Sequence, residues 1–129
     1  MNELKIGILE DQAAFRPGEL LRGGAGWQVG EPPRSVETRL FWYTKGKGTE
    51  DVEVVATESF ERPQMQDARP FEFRLPAAPY SFSGKLISLI WAVELVAQPS
   101  GDAARVEFVL SPTGHEILLH EAANATSPG

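Results

Sequence analysis

Apolar and polar residues alternate most clearly in the second half of the chain. Phe71, Phe73 and Leu75 are separated by two charged residues, and a repeat of two is typical of a β-strand with one buried face. Pro76 ends this strand, because a proline cannot donate to a ladder. After a Pro-rich crossing, every odd position from 87 to 95 is apolar. The pattern predicts two strands joined by that crossing.

The same alternation recurs in five further stretches with Gly- or Pro-containing turns between them. These stretches are residues 4–8, a short one from residue 20, 36–44, 51–56 and 105–110. About seven short strands predict an all-β fold, an immunoglobulin-like antiparallel β-sandwich. The predicted core consists of Leu40, Trp42, Phe71, Phe73, Leu89, Trp91 and Phe108. The glycines in residues 23–26 should weaken the second strand, because glycine adds backbone entropy and no packing.

The order of three short motifs resembles the arrestin-like superfamily. Phe15 opens F-x-P-G-E, Arg39 opens R-L-F-W-Y-T, and Phe71 opens F-x-F-x-L-P, which continues through Pro79 to Gly84. The resemblance covers about residues 4 to 110. It implies the arrestin-like sandwich and a non-catalytic adaptor that binds other proteins. It does not extend to phosphate recognition, because the turn after the first strand carries Glu10 and Asp11 instead of basic residues.

The length of 129 residues allows one domain with one core. We predict a sandwich domain over residues 1–112 and a C-terminal tail over 113–129. Thr113 and Glu116 have the spacing of a capping box, which favours a short helix through residues 117–119. The same Ile-Leu-Leu run also suits an added strand. Residues 122–129 are expected to fray.

Composition narrows the function. The net charge is −6 and the twelve basic residues are scattered, which argues against nucleic-acid and anionic-membrane partners. The chain has no cysteine and no apolar run long enough for a spanning helix. The first residues lack the basic and apolar regions of a secretory signal. We therefore expect a cytoplasmic protein without direct membrane insertion.

No residue pattern predicts catalysis, a metal or a cofactor. His115 and His120 are five residues apart and lack a third ligand nearby. The pair formed by Glu10 and Asp11 lies beside a turn, which indicates solvated charge. Ser81 and Ser83 have no neighbouring histidine or nucleophile elbow. The sequence thus predicts a protein that is not an enzyme.

A candidate binding patch comes from apolar residues on the wrong face of two strands. Phe41 and Tyr43 lie opposite the predicted core face of their strand, and so do Leu86 and Ile90 in theirs. If the two strands are neighbours, these four residues form one outer patch, which soluble monomers rarely leave bare. The tail at residues 117–119 is an alternative cover for this patch.

Three functions remain open from the sequence. The first is a protein-binding adaptor or scaffold that uses a sheet face or edge. The second is a structural homo-oligomer that buries the outer patch between copies. The third is a small-molecule or carbohydrate-binding sandwich, in which Trp27 in its glycine-rich segment stacks on the ligand; the favoured alternative for Trp27 is burial in the core.

Overall fold

The computed structural model describes residues 2–48, 50–113, 115 and 117–118. Within these ranges the chain is β-structure apart from turns and one short 3₁₀ segment, Leu9–Asp11. None of its described helical segments is long and apolar enough to cross a membrane.

Seven of the described strands have six or more residues, which confirms the predicted fold class. These are β1 (Glu3–Ile8), β3 (Leu20–Gln28), β4 (Ser35–Gly46), β5 (Val52–Ser59), β6 (Gln66–Arg74), β8 (Ile87–Gln98) and β9 (Asp102–Leu110). Three strands of two residues complete the set: β2 (Ala14–Phe15), β7 (Phe82–Ser83) and β10 (Ile117–Leu118). The seven long strands correspond one to one to the seven predicted from alternation.

Two sheets pack face to face. The smaller sheet has the order β1-β3-β6, and the larger sheet has β4 and β8 at its centre with β5 on the far side of β4. The other side of β8 is shared, since β7 pairs with it at Leu89 and β9 pairs with it from Trp91 onward. The long strands pair antiparallel throughout. The result is an antiparallel sandwich.

The core lies between the sheets and contains the residues that alternation predicts, with one exception. Leu40, Phe71, Phe73, Leu89, Trp91 and Phe108 are all buried. Trp42 is only partly buried against this core. Trp91 is fully enclosed, and its indole N–H donates to the carbonyl oxygen of Pro79 at 2.8 Å.

The glycine-rich segment does not interrupt β3. Its residues pair with β1 on one side and β6 on the other, so both edges of the strand are hydrogen-bonded. A Cβ atom at Gly23 would lie 2.1 Å from the carbonyl oxygen of Gly7 and 2.5 Å from a ring carbon of Phe71. The glycine therefore leaves room for the Phe71 ring to cover the strand.

The tail adopts the strand alternative where it is described. Ile117 and Leu118 form β10, which pairs parallel to Phe82 and Ser83 of β7. This places the β10 backbone at a sheet edge. The sequence had also allowed the tail to form a short helix or to cover the outer patch. Leu119, His120 and the residues expected to fray lie outside the described part of the chain, and the domain boundary at residue 112 stays a prediction.

Candidate protein-binding surface

The structure brings three of the four predicted patch residues together on the outer face of the larger sheet. Antiparallel pairing of β4 and β8 sets Tyr43 opposite Ile90 and Phe41 opposite Ala92. The Phe41 and Tyr43 rings stack with their centres 6.0 Å apart. Leu86 lies just before β8 and lines a shallow groove with Ile90.

Phe41 differs from the prediction because it is not an exposed aromatic residue. Only 3% of it is accessible, since the Arg105 guanidinium lies 4.9 Å from the centre of its ring. The same guanidinium lies 5.1 Å from the centre of the Tyr43 ring. A cation over two aromatic faces is attracted by both ring quadrupoles. The predicted apolar patch is therefore a mixed surface in which an arginine covers the aromatic pair.

Leu86 is the most exposed member of the predicted set, with 65% of it accessible. Its backbone is held by the end of β4, because Lys47 donates its N–H to the Leu86 carbonyl oxygen at 3.0 Å. Gly46 makes this approach possible, since a Cβ atom there would lie 2.0 Å from that oxygen and the residue has φ of +151°. Leu86 is thus an apolar side chain presented to solvent from a fixed backbone.

The surface continues onto β5, which the sequence analysis did not include. Val52 pairs opposite Tyr43 and Val54 opposite Phe41, and both valines are more than 45% accessible, at 66% and 49%. The alternation of Val52 and Val54 was visible in the sequence. What alternation does not reveal is that β5 is the outermost strand on its side of the larger sheet among the residues that the structure describes. We call Phe41, Tyr43, Leu86, Ile90, Arg105, Glu107, Val52 and Val54 the outer surface.

Tyr43 and Glu107 form a polar contact on the outer surface. The Tyr43 hydroxyl donates to Oε2 of Glu107 at 2.6 Å. Burial raises the pKa of Tyr43 most, and the Glu107 carboxylate raises this pKa further because it accepts the phenolic proton and repels the phenolate. Arg105 acts in the opposite direction on the same pKa.

We expect Glu107→Gln to lower the pKa of Tyr43, because it removes the carboxylate that accepts the phenolic proton and repels the phenolate. Because the pKa of Tyr43 is raised in the folded state, the neutral hydroxyl stabilises the folded protein. This stabilisation is fully present below the unfolded-state pKa of about 10. This contribution is lost as the pH rises through the folded-state pKa. Phenolate absorbance measures the titration, and Tyr43→Phe isolates the signal of Tyr80. An unchanged Tyr43 midpoint in Glu107→Gln would contradict the assignment.

Trp27 does not reach solvent, which corrects the sequence-based hypothesis of ligand stacking. Only 3% of it is accessible, its ring stacks on Phe60 with centres 5.4 Å apart, and its indole N–H donates to the Gln64 carbonyl oxygen at 2.7 Å. The reason is that β3 runs unbroken through its glycines, so that alternation turns Trp27 into the core. Trp27 therefore offers no exposed ring on which a small molecule could stack.

Of three other residues considered for catalysis, one is buried and two are exposed. Ser81 is buried, and its hydroxyl oxygen accepts the Leu110 N–H at 2.9 Å. Glu10 and Asp11 are exposed in the 3₁₀ segment. Across the ranges given above, no cluster of three or more His, Cys, Asp or Glu side chains could hold a metal ion.

Comparison with known proteins supports the fold. No protein-family model matches the chain, and no curated protein sequence matches it. Spo0M, a sporulation control protein from Bacillus subtilis, has a similar structure with a TM-score of 0.59 and 17% identity. The similarity covers 85% of this chain and 49% of Spo0M, so the chain spans about half the length of that protein. This similarity supports the β-sandwich fold of the chain.

Two other similar structures have lower scores. A β-glucosidase from Listeria innocua has a TM-score of 0.49 and 16% identity over 92% of this chain and 16% of the enzyme. The alkylpurine DNA glycosylase AlkC from Pseudomonas fluorescens has a TM-score of 0.44 and 14% identity over 84% of this chain and 30% of AlkC. Scores this low carry no functional argument.

Proposed function

We propose that the chain is a non-catalytic adaptor or scaffold that binds another protein through its outer surface. The observation that carries this proposal is Leu86, which is 65% accessible on a backbone fixed by β4. Large apolar side chains held in an exposed position serve well as anchors, because little conformational entropy is lost when a partner covers them.

The chemistry of the outer surface suits a protein partner. Arg105 and the aromatic pair beneath it are residue types enriched in protein interfaces. Lys45 and Glu107 line the same groove as Leu86 and Ile90, which supplies charges of both signs at its rim. A partner that buries Leu86 can pair with these charges without leaving the centre of the contact polar.

The resemblance of the sequence motifs to arrestin-like proteins is compatible with this function. The adaptor role itself is part of our proposal. We also propose that the protein is not an enzyme, does not bind nucleic acid and does not insert into a membrane. Its proposed location is the cytoplasm. The net charge of −6 favours a protein partner over an anionic polymer.

Photo-crosslinking tests the proposal directly. A photoreactive phenylalanine analogue at position 86 should form covalent adducts with another protein in the source cell. Leu9 is the matched control site, because it is also an exposed apolar residue at 59% accessibility but follows β1 of the smaller sheet. We expect adducts at position 86 that are absent at position 9.

The identity of the adduct separates the adaptor from the homo-oligomer. Adducts joining two copies of this chain, together with a dimer in light scattering, would replace the adaptor by the homo-oligomer. A monomer that forms no adducts at position 86 would remove the outer surface as a binding site.

A further inference from the structure

We propose that β5 binds an extended basic segment of a partner protein, which adds as a new strand to the open edge of the larger sheet. The inference rests on the proposed function, because it names the chemistry of the partner. Strand addition uses backbone hydrogen bonds for affinity and alternate side chains for selectivity.

The edge is open and apolar. β5 pairs only with β4 among the strands that the structure describes. Three neighbouring valines on it face solvent, with Val52 at 66%, Val54 at 49% and Val55 at 43% accessibility. Exposed edges of this kind are templates for strand pairing, and natural proteins usually protect them with proline or lysine.

The edge of the smaller sheet shows such protection, whereas β5 lacks it. β6 also pairs with one strand, β3, among the described residues, but Pro70 lies in its middle and cannot donate to an added strand. β5 contains neither proline nor lysine. Its one irregularity is the register shift opposite Leu40 and Phe41, which leaves Val55 without a partner.

Hydrogen-bond direction identifies the docking stretch. Thr44 donates its N–H to the Asp51 carbonyl oxygen at 2.9 Å, so the backbone carbonyl group of Asp51 points toward β4. Alternation then directs the backbone groups of Val52 and Val54 away from β4. These two residues precede the irregularity at Val55, and their outward N–H and C=O groups can pair with a short added strand.

Charge selects the partner. Residues 50–60 contain four carboxylates, at Glu50, Asp51, Glu53 and Glu58, and no lysine or arginine. Two copies paired edge to edge would bring eight carboxylates together, which disfavours self-pairing. A segment with lysine or arginine at alternate positions would place opposite charges beside these carboxylates, while its β-branched residues pack against Val52 and Val54.

A designed peptide tests this inference. The probe is a fluorescent peptide of about ten residues in which lysine alternates with valine or threonine, and binding is followed by anisotropy. One control peptide replaces every lysine by glutamate, and another has the same composition with its lysines in one block. We expect the alternating basic peptide alone to bind, with an affinity that falls as salt increases.

Variants locate the binding site. Val54→Pro removes an outward N–H without breaking the β4 ladder, and Glu50→Lys/Glu53→Lys reverses two charges. Each should weaken binding by about tenfold or more. Glu3→Lys/Glu31→Lys, which changes the net charge equally at exposed sites outside β5, should bind as the wild type does. Circular dichroism verifies that each variant is folded.

The outcomes are decisive for the edge. Failure of the wild type to bind the basic peptide overturns the inference, and so does binding that folded Val54→Pro leaves unchanged. Equal loss in the Glu3→Lys/Glu31→Lys control also overturns it, because attraction would then depend on net charge alone. Any of these three failures leaves the proposed function intact if adducts at Leu86 persist. If peptide binding is normal and those adducts are absent, Leu86 is not part of a binding site and only the β5 edge remains as one.

Discussion

Trp91→Ala should cost about 3–5 kcal/mol of unfolding free energy, the range for removing a large buried ring. This is a large share of the roughly 5–15 kcal/mol that stabilises a domain. Trp91 is fully buried, and its ring centre lies 6.0 Å from that of Phe108. The two sheets that enclose it are hydrogen-bonded along their strands and have little freedom to collapse into the cavity.

Urea unfolding followed by circular dichroism measures this cost. Tyr80→Ala is the control, because it removes an aromatic ring that is 37% accessible and should cost much less. Trp91→Phe retains most of the apolar contact but removes the indole N–H bonded to the Pro79 carbonyl oxygen, so its cost should fall between the two. A Trp91→Ala protein with an unchanged urea midpoint would mean that the core is assigned to the wrong face.

Gly23→Ala should destabilise the sandwich by about 1–3 kcal/mol or more, the range for forcing an extra group into a packed site. The added methyl group would lie 2.1 Å from the Gly7 carbonyl oxygen and 2.5 Å from a ring carbon of Phe71. Neither neighbour moves freely, because the first is backbone of a paired strand and the second is a core ring with 3% accessibility.

The adjacent glycine supplies a matched control. A Cβ atom at Gly24 would meet nothing within 4 Å, and that glycine lies in the same strand with neighbours on both sides. Gly24→Ala should therefore be neutral or slightly stabilising, since it removes backbone entropy from the unfolded chain. Thermal unfolding of both variants decides the point. Equal melting temperatures would show that Phe71 does not pack over Gly23.

The fold was predictable because burial on one face of a strand leaves a repeat of two in the sequence. This repeat identified the seven long strands and most of the core, including Trp91. It failed where pairing overrode local preference. Glycine is unfavourable in strands, yet β3 continues through Gly23 because β1 and β6 bond both of its edges. β6 begins at Gln66, five residues before Phe71, where the alternation begins.

The candidate surface was predictable only in part, because it depends on which strands are neighbours. Alternation placed Phe41 and Tyr43 on the outer face, and the pairing of β4 with β8 brings them to Ile90. It gave no sign that Arg105 covers Phe41, since this contact requires β9 to lie beside β8. The exposure of Val52 and Val54 follows from the position of β5 at an edge, which strand patterns alone do not determine.

The arrangement of β4 and β8 has a consequence for how the chain folds. These two strands pair from Ser35 with Gln98 to Gly46 with Ile87, so residues 47–86 have to be synthesised before the pairing can begin. During translation β4 is synthesised before its main neighbour β8, and the larger sheet can form completely only after β8 has left the ribosome. Such distant pairings are typical of all-β proteins that fold over milliseconds to seconds. Until then the edge of β4 that pairs with β8 has no partner strand, and an unpaired strand edge of this kind is prone to aggregation.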